Sequence, residues 1–256
     1  MIFVVDIGNS NIVVGGIDDE KIHFIGRLST DRKKTELEYA FDIKNIMLIY
    51  NIKKSDIEGC IISSVVPQIT NMVKSATETV FGKTSMVLRS GLKTGLNICM
   101  DNPAEMGADR VADAVAATDE YPIPLAIVDM GTATTISVVD DKKRVIGDAI
   151  YPGVRISLDS LTEHASQLSG ISLEKPKNVI ARNTAECMRS GILYGSAAVV
   201  DGLLDRMEEE LGSPLTVIAT GGMSKSIVPY CRHVIIQDEY LLLKGLRIIY
   251  KKNCQK

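Results

Sequence analysis

A short phrase occurs twice in this chain and constrains its fold more than any other feature. Val4–Asn11 reads VVDIGNSN, and Val128–Thr135 reads VDMGTATT. The copies align Asp6 with Asp129, Gly8 with Gly131, Asn9 with Thr132 and Asn11 with Thr134. In each copy an apolar run predicts a buried strand that leads straight into a glycine turn, where the backbone can take positive φ or approach a ligand closely. The repeat therefore predicts a chain with two similar halves.

Hydrophobic spacing around the repeats predicts a mixture of strands and helices. After each copy an apolar stretch reaches an acidic pair, Asp18-Asp19 or Asp140-Asp141, which predicts a β-hairpin after the first strand. Ser90–Asn102 contains two glycines and is predicted to be a loop. Helical spacing of apolar residues predicts helices over Thr35–Tyr50 (with Thr35 as N-cap), Gln68–Phe81, Pro103–Tyr121, Val154–Leu168, Thr184–Leu211 and Glu239–Lys251. We expect an α/β fold with domain ranges 1–115 and 116–256 and no flexible tether between them.

Composition excludes several classes of protein. The 256 residues carry a formal net charge of −3, which provides no basic field for nucleic acid. No apolar run reaches the ~18 residues of a membrane span, and Met1–Asp6 is predicted to be strand rather than a secretory leader. Five scattered cysteines without CxxC spacing indicate reduced thiols, a cytoplasmic protein and no zinc site. Neither nucleic acid nor membrane is expected as a partner.

The glycine turns favour a phosphate-binding role for Asp6 and Asp129. Taken singly, Asp-x-Gly could be an ordinary turn, because both residues are common in turns. Two copies, with a third turn at Thr220–Gly222 after another predicted strand, favour a ligand. Turn N–H groups would contact a polyphosphate, and an aspartate would hold Mg²⁺ through water. Neither copy is a GxxxxGK[ST] loop, and no G-x-G-x-x-G follows a strand.

The segment Gly107–Arg110, GADR, is a second candidate site. In one interpretation Asp109 and Arg110 form a surface charge pair near the start of a helix. In the other, Asp109 accepts a proton from a substrate hydroxyl while the planar fork of Arg110 binds a carboxylate. A carboxylate base beside an alcohol is typical of phosphoryl transfer to that alcohol. Spacing alone leaves both interpretations open.

Other polar residues are predicted to be structural. His23, His164 and His233 have no partner at metal-ligand spacing, and Lys142–Arg144 reads as a solvated hairpin tip. Asn183-Thr184 precedes a long helix, where capping is the default role. No GxSxG motif is present, which disfavours an acyl-enzyme hydrolase.

Five motifs in order resemble the type III pantothenate kinases over essentially the whole chain. They are DIGNSN at Asp6–Asn11, GADR at Gly107–Arg110, DMGTATT at Asp129–Thr135, Pro152-Gly153, and TGG at Thr220–Gly222. The resemblance implies two actin-like (ribonuclease-H-like) domains, each a mixed five-stranded sheet flanked by helices, with ATP in the cleft between them. It implies ATP-dependent phosphorylation of pantothenate, the first committed step towards coenzyme A, by a homodimer.

The resemblance also implies roles for individual residues. Asp6 would hold Mg²⁺ through water, Asp129 would sit at a monovalent-cation site for potassium or ammonium, and Asp109 would be the proton acceptor. The residues implied to contact ATP are Asp6, Ile7, Gly8, Asn9, Ser10, Asn11, Ile12, Val13 and Thr132. Those implied to contact pantothenate are Met100, Gly107, Ala108, Asp109, Arg110 and Thr184.

Three positions depart from the family pattern. Met100 stands where tyrosine is common and removes a hydroxyl that could contact pantothenate. Ser10 replaces threonine but keeps the hydroxyl, and Asp148 follows Gly147 where a second glycine is more usual.

Two alternatives remain at this point. Another small-molecule kinase or phosphatase of the same fold would keep Asp6 and Asp129 but would not need GADR. A non-enzymatic regulator is the second alternative, since some relatives are named as accessory factors for transcription. Such a regulator could lose the base Asp109, which this chain retains.

Overall fold

The computed structural model describes residues 1–165 and 168–254, which form eleven β-strands and seven α-helices together with short 3₁₀ turns. The elements up to residue 100 are β1 (Ile2–Ile7), β2 (Asn11–Ile17), β3 (Ile22–Ser29), α1 (Glu36–Ile49), β4 (Gly59–Ser64), α2 (Pro67–Phe81), β5 (Ser85–Val87) and β6 (Asn97–Ile98). They are followed by α3 (Ala108–Glu120), β7 (Leu125–Met130), β8 (Ala133–Val139), β9 (Arg144–Pro152), α4 (Val154–His164), α5 (Thr184–Leu211), β10 (Thr216–Thr220), α6 (Ser224–Ile227), β11 (Ile235–Gln237) and α7 (Leu241–Cys254).

The described residues fall into two compact units. The first contains residues 1–96, residues 101–116 and the C-terminal segment that begins at Tyr240; the second contains residues 97–100 and 117–239. These units are discontinuous in sequence and differ from the predicted ranges 1–115 and 116–256 at residues 97–100 and at the C-terminal segment. There α7 packs against β1, β2 and β4 of the first unit.

The first unit contains a five-stranded mixed sheet in the order β3-β2-β1-β4-β5. The strands β1, β2 and β3 form antiparallel pairs, whereas β1–β4 and β4–β5 are parallel. Side chains alternate across β1, so Phe3, Val5 and Ile7 join the hydrophobic cluster that includes residues of α1 and α2. On the opposite face, Val4 lies near Leu243 of α7, which explains why nearly the whole strand is buried. Asp6 is on this opposite face, at the carboxyl end of β1.

The second unit repeats this topology and adds one strand. Its sheet has the order β11-β10-β7-β8-β9-β6, and β9-β8-β7-β10-β11 pair in the same senses as β3-β2-β1-β4-β5. The predicted duplication is therefore confirmed, but the expectation of five strands is wrong for this sheet. Asn97 and Ile98, predicted as loop, pair in parallel with Arg144 and Val145 on the edge of β9.

Helix ends follow the expected local chemistry in several places. Thr35 caps α1 in a capping box with Glu38, and Gly212 ends α5 in the left-handed conformation. The helix predicted over Val154–Leu168 instead ends at His164, and two residues of that range, Ser166 and Gln167, lie outside the described residues. Among the helices of residues 1–165 and 168–254, none has both the length and the hydropathy that a membrane span requires.

Candidate active site

The first glycine turn connects β1 to β2 in the first unit. The N–H group of Gly8 donates to the carbonyl oxygen of Asn11 at 3.0 Å, which closes the turn. A Cβ atom at Gly8 would lie 3.0 Å from that same oxygen, so a larger residue would crowd the turn. Asn9, Ser10 and Asn11 are exposed, whereas the strands on either side are mostly buried. The turn is thus an exposed segment on a buried base.

Asp6 lies at the base of this turn beside the carboxyl end of β4. Across the parallel pair, Asp6 is opposite Ser63 and Ile7 is opposite Ser64. The hydroxyl of Ser63 is fully buried and has no hydrogen-bond partner within the described residues. The sequence prediction missed Ser63, although a strand ending in Ser63-Ser64 next to β1 was a signal that could have identified it. Oxygen ligands of this kind suit Mg²⁺.

The GADR segment opens α3 in the first unit. The predicted helix from Pro103 to Tyr121 is wrong at its start, because a 3₁₀ turn over Pro103–Glu105 is separated from α3 by Met106 and Gly107 in non-helical backbone. Asp109 is therefore in the first turn of α3, where the positive end of the helix dipole favours a carboxylate. Its Oδ1 accepts from the N–H group of Arg110 at 2.8 Å.

Gly107 and Arg110 fix the surroundings of Asp109. A Cβ atom at residue 107 would lie 2.4 Å from Oδ1 of Asp109, so glycine leaves room for this carboxylate. The guanidinium Nη2 of Arg110 donates to the carbonyl oxygen of Glu105 at 3.3 Å, which ties Arg110 to the preceding turn. Asp109 and Arg110 are both half-buried. These contacts hold Asp109 and Arg110 in a defined local geometry.

The second glycine turn connects β7 to β8 in the second unit, and it is one residue shorter than the first. Met130 pairs with Thr134, whereas the corresponding Ile7 pairs with Ile12. The aligned pairs Asp6–Asp129 and Gly8–Gly131 occupy equivalent positions, but the alignment of Asn11 with Thr134 is wrong. Thr134 corresponds to Ile12 in burial and in register because the extra residue of the first copy lies inside the turn.

Two further glycines of the second unit pack against this turn. Gly221 has φ of +86°, and a Cβ atom there would lie 2.4 Å from Oδ1 of Asp129 and 2.6 Å from the nitrogen of Met130. A Cβ atom at Gly153 would lie 2.4 Å from the carbonyl oxygen of Thr132. The Pro152-Gly153 and Thr220–Gly222 motifs are therefore packed directly against the Asp129 turn.

The remaining predicted residues of the second unit lie at element ends. Thr184 is the first residue of α5 and is exposed, while Asn183 caps the helix by accepting from the N–H group of Glu186 at 3.0 Å. Met100 follows β6, and the main-chain N–H group of Cys99 donates to the carbonyl oxygen of Val145 at 2.8 Å.

Burial raises the pKa of Tyr151 to about 12, although a hydrogen bond with Thr134 opposes that rise, so this tyrosine stays protonated. Nothing in the structure explains Asp148.

The candidate residues are divided between the two units. Asp6–Val13 and Gly107–Arg110 belong to the first unit, and Met100, Asp129, Thr132 and Thr184 belong to the second. In the residues that the structure describes, no group of three or more histidine, cysteine, aspartate or glutamate side chains is arranged to bind a metal ion. His23 instead pairs with Asp18, and His233 pairs with Asp201.

Comparisons with known proteins agree with these motifs. A sequence model of the family described as type III pantothenate kinase matches residues 2–206. A type III pantothenate kinase of Halalkalibacterium halodurans is 44% identical over 99% of this chain and 100% of its own length. A type III pantothenate kinase of Exiguobacterium sibiricum shows the same identity and the same coverage.

Solved structures show the same fold at low sequence identity. A Campylobacter jejuni protein described as a Baf family transcriptional activator is 18% identical over 98% of each chain, with a TM-score of 0.62. MreB 5 of Spiroplasma citri bound to AMPPNP is 10% identical over 98% of this chain and 96% of its own, with a TM-score of 0.55. The predicted actin-like fold is confirmed by these similarities, which at such identities show the fold alone.

Proposed function

The chain belongs to the type III pantothenate kinase family, and on that premise we propose how its residues divide the reaction. The function is ATP-dependent phosphorylation of pantothenate to 4′-phosphopantothenate, the first step of coenzyme A biosynthesis. The observation that carries this conclusion is the 44% identity to a curated kinase across nearly the full length of both chains. The reaction requires ATP and Mg²⁺, as in the kinases of this family. The enzyme assignment argues against the non-enzymatic regulator.

Asp109 is the proposed catalytic base. Its carboxylate would accept the proton of the pantothenate primary hydroxyl as that oxygen attacks the γ-phosphorus, while the bond from the γ-phosphorus to the β,γ-bridging oxygen breaks and ADP leaves. Two features support this role: the half-buried position at the start of α3, and the glycine at 107 that leaves space beside Oδ1. No covalent phosphoenzyme is needed.

The first glycine turn is the proposed phosphate site. Asp6, Ile7, Gly8, Asn9, Ser10, Asn11, Ile12 and Val13 would surround the ATP phosphates, with Thr132 as a further contact. The buried oxygens around the base of the turn fit Mg²⁺, and the buried hydroxyl of Ser63 without a partner in the described residues supports a ligand there. Asp6 would hold the ion through water. When bound, Mg²⁺ neutralises charge on the phosphates.

Asp129 is the proposed ligand of a monovalent cation, potassium or ammonium. Its carboxylate is half-buried, and Gly221 packs against it, since a Cβ atom at Gly221 would lie 2.4 Å from Oδ1 of Asp129. Oxygen atoms from a carboxylate and main-chain carbonyls suit a hard cation. A cation at this site would balance negative charge near the nucleotide.

Pantothenate would be bound by Gly107, Ala108 and Arg110 around Asp109, with Met100 and Thr184 as further contacts. The guanidinium of Arg110 would pair with the pantothenate carboxylate because its planar fork can donate two parallel hydrogen bonds. Met100 would contribute an apolar contact where relatives commonly have a tyrosine hydroxyl. We further propose a cytoplasmic homodimer.

Replacing Asp109 with asparagine tests the proposed base. A general base typically contributes ~10²–10⁴-fold to turnover, so we expect kcat of Asp109→Asn to fall at least ~100-fold. The fold should persist because asparagine has the same shape, and circular dichroism would verify it. Asp119→Asn is the matched control, since Asp119 is an exposed aspartate on the same helix. Near-normal turnover of Asp109→Asn would refute the assignment.

A further inference from the structure

Thr30, immediately after β3, holds two carbonyl groups of the first glycine turn. Its hydroxyl donates to the carbonyl oxygen of Gly8 at 2.7 Å. Its main-chain N–H group donates to the carbonyl oxygen of Ser10 at 3.1 Å. Thr30 alone therefore forms hydrogen bonds to two carbonyl groups of the turn, those of Gly8 and Ser10.

These contacts determine which side of the turn the main-chain oxygens occupy. With the Gly8–Asn11 bond, the carbonyl oxygens of Gly8, Ser10 and Asn11 are all bonded within the protein. Because a trans peptide places its N–H group opposite its C=O group, holding the carbonyl oxygen of Gly8 towards Thr30 points the N–H group of Asn9 away from Thr30, and N–H groups presented by a turn in this way bind anions. Thr30 thereby orients the turn without belonging to it.

Thr30 is itself held by the core of the first unit. The next residue, Asp31, accepts a hydrogen bond at its carbonyl oxygen from the hydroxyl of Tyr39 at 2.6 Å. Tyr39 is buried in α1, and its ring belongs to the hydrophobic cluster of this unit. A continuous series of contacts thus runs from α1 through Asp31 and Thr30 to the glycine turn.

We propose that Thr30 is a positioning residue for nucleotide binding: it orients the Gly8–Ser10 turn towards the phosphates of ATP. The proposal rests on the proposed role of Asp6–Val13 as the phosphate site. The hydroxyl of Thr30 acts through the turn and does not touch the reacting atoms. We expect the effect to be on ATP binding, because these two hydrogen bonds of Thr30 are to the turn.

Thr30→Val tests the proposal because valine keeps the branched shape and the main-chain N–H group but removes the hydroxyl. One hydrogen bond contributes roughly 1 kcal/mol, so we expect the KM for Mg-ATP to rise about 3–10-fold. The dissociation constant of Mg-ATP, measured by calorimetry without pantothenate, should rise by a similar factor. The KM for pantothenate should stay unchanged, and Thr30→Ser should restore both ATP constants.

Thr162→Val is the matched control, since its hydroxyl also donates to a main-chain carbonyl oxygen, that of Asp159 at 2.9 Å in α4. It should leave both ATP constants unchanged. If Thr30→Val lowers only the melting temperature, or raises the KM for pantothenate instead, the positioning role is refuted. These outcomes require an active wild-type enzyme; if the wild type shows no pantothenate-dependent turnover, the proposed function itself fails.

Discussion

Gly221 packs against the Asp129 turn and leaves no room for a side chain. Its φ of +86° disfavours any other residue, and a Cβ atom would lie 2.6 Å from the main-chain nitrogen of Met130. Because main-chain atoms cannot rotate away, we expect Gly221→Ala to lower the free energy of unfolding by roughly 2–5 kcal/mol. Urea unfolding measures this change.

The neighbouring Gly222 provides the control for that variant. Apart from its chain neighbours, no atom of the described residues lies within 4 Å of a Cβ built at Gly222, and its backbone does not have positive φ. Gly222→Ala should therefore change the free energy of unfolding by less than about 1 kcal/mol. Equal effects of the two variants would contradict the close packing of Gly221 on Asp129.

Asp201 makes the stability of the protein depend on pH. Burial raises the pKa of this carboxyl group, but N–H groups of Arg232 and His233 and the ring of His233 outweigh that effect and hold the pKa below 3.8. A folded pKa below the unfolded value stabilises the protein above pH 3.8, and this stabilisation is lost as the pH falls through the lowered folded pKa.

We therefore expect Asp201→Asn to be less stable than the wild type by about 1.5–3 kcal/mol at neutral pH, because hydrogen bonds to a charged acceptor are strong. The difference should shrink below pH 3.8, and urea unfolding from pH 7 to 3 would measure it. Asp205→Asn, one turn further along α5 and exposed, should show little difference at any pH. A constant difference for Asp201→Asn would contradict this account.

At the scale of elements, α7 packs against α3 at Gly245. A Cβ atom at Gly245 would lie 1.9 Å from the carbonyl oxygen of Ala112, so the two helix backbones are in direct contact. Alanine normally stabilises a helix relative to glycine by about 1 kcal/mol. Here we expect Gly245→Ala to destabilise the protein by about 1–3 kcal/mol, because the helices must separate.

The same substitution at Gly191 in α5 should have the opposite effect on stability. In the part of the chain that the structure describes, a Cβ atom there meets no atom within 4 Å beyond its own helix backbone, so Gly191→Ala should raise the melting temperature slightly. Opposite signs of the stability change for Gly245→Ala and Gly191→Ala would verify that α7 and α3 are in contact at Gly245. A stabilising Gly245→Ala would show that the helices are not in contact there.

Most elements could be predicted from local patterns, whereas their ends and pairings could not. Thr184–Leu211 was predicted in full because its N-cap and its C-terminal glycine are both visible in the sequence. Pro103 was mistaken for the start of α3, because a proline begins a 3₁₀ turn and an α-helix equally well. The strand Asn97–Ile98 depends on the edge of β9, a distant partner that no local pattern shows.

At the scale of the whole molecule, the repeated phrase correctly predicted a duplicated topology. Five strands of each sheet share one order and the same pairing senses. The assignment of α7 to the first unit was not predictable, since apolar spacing shows that a helix has a buried face but not what covers it. The candidate residues were identified through their motifs, while Ser63 and Thr30 became visible only through strand register and hydrogen bonds.

The central claim is that this chain transfers the γ-phosphoryl group of ATP to pantothenate. The most direct measurement is ADP release by the purified protein with Mg-ATP and potassium, with and without pantothenate. ADP release should require pantothenate and should fall when sodium replaces potassium. ADP release indifferent to pantothenate, or no release under any of these conditions, would contradict it.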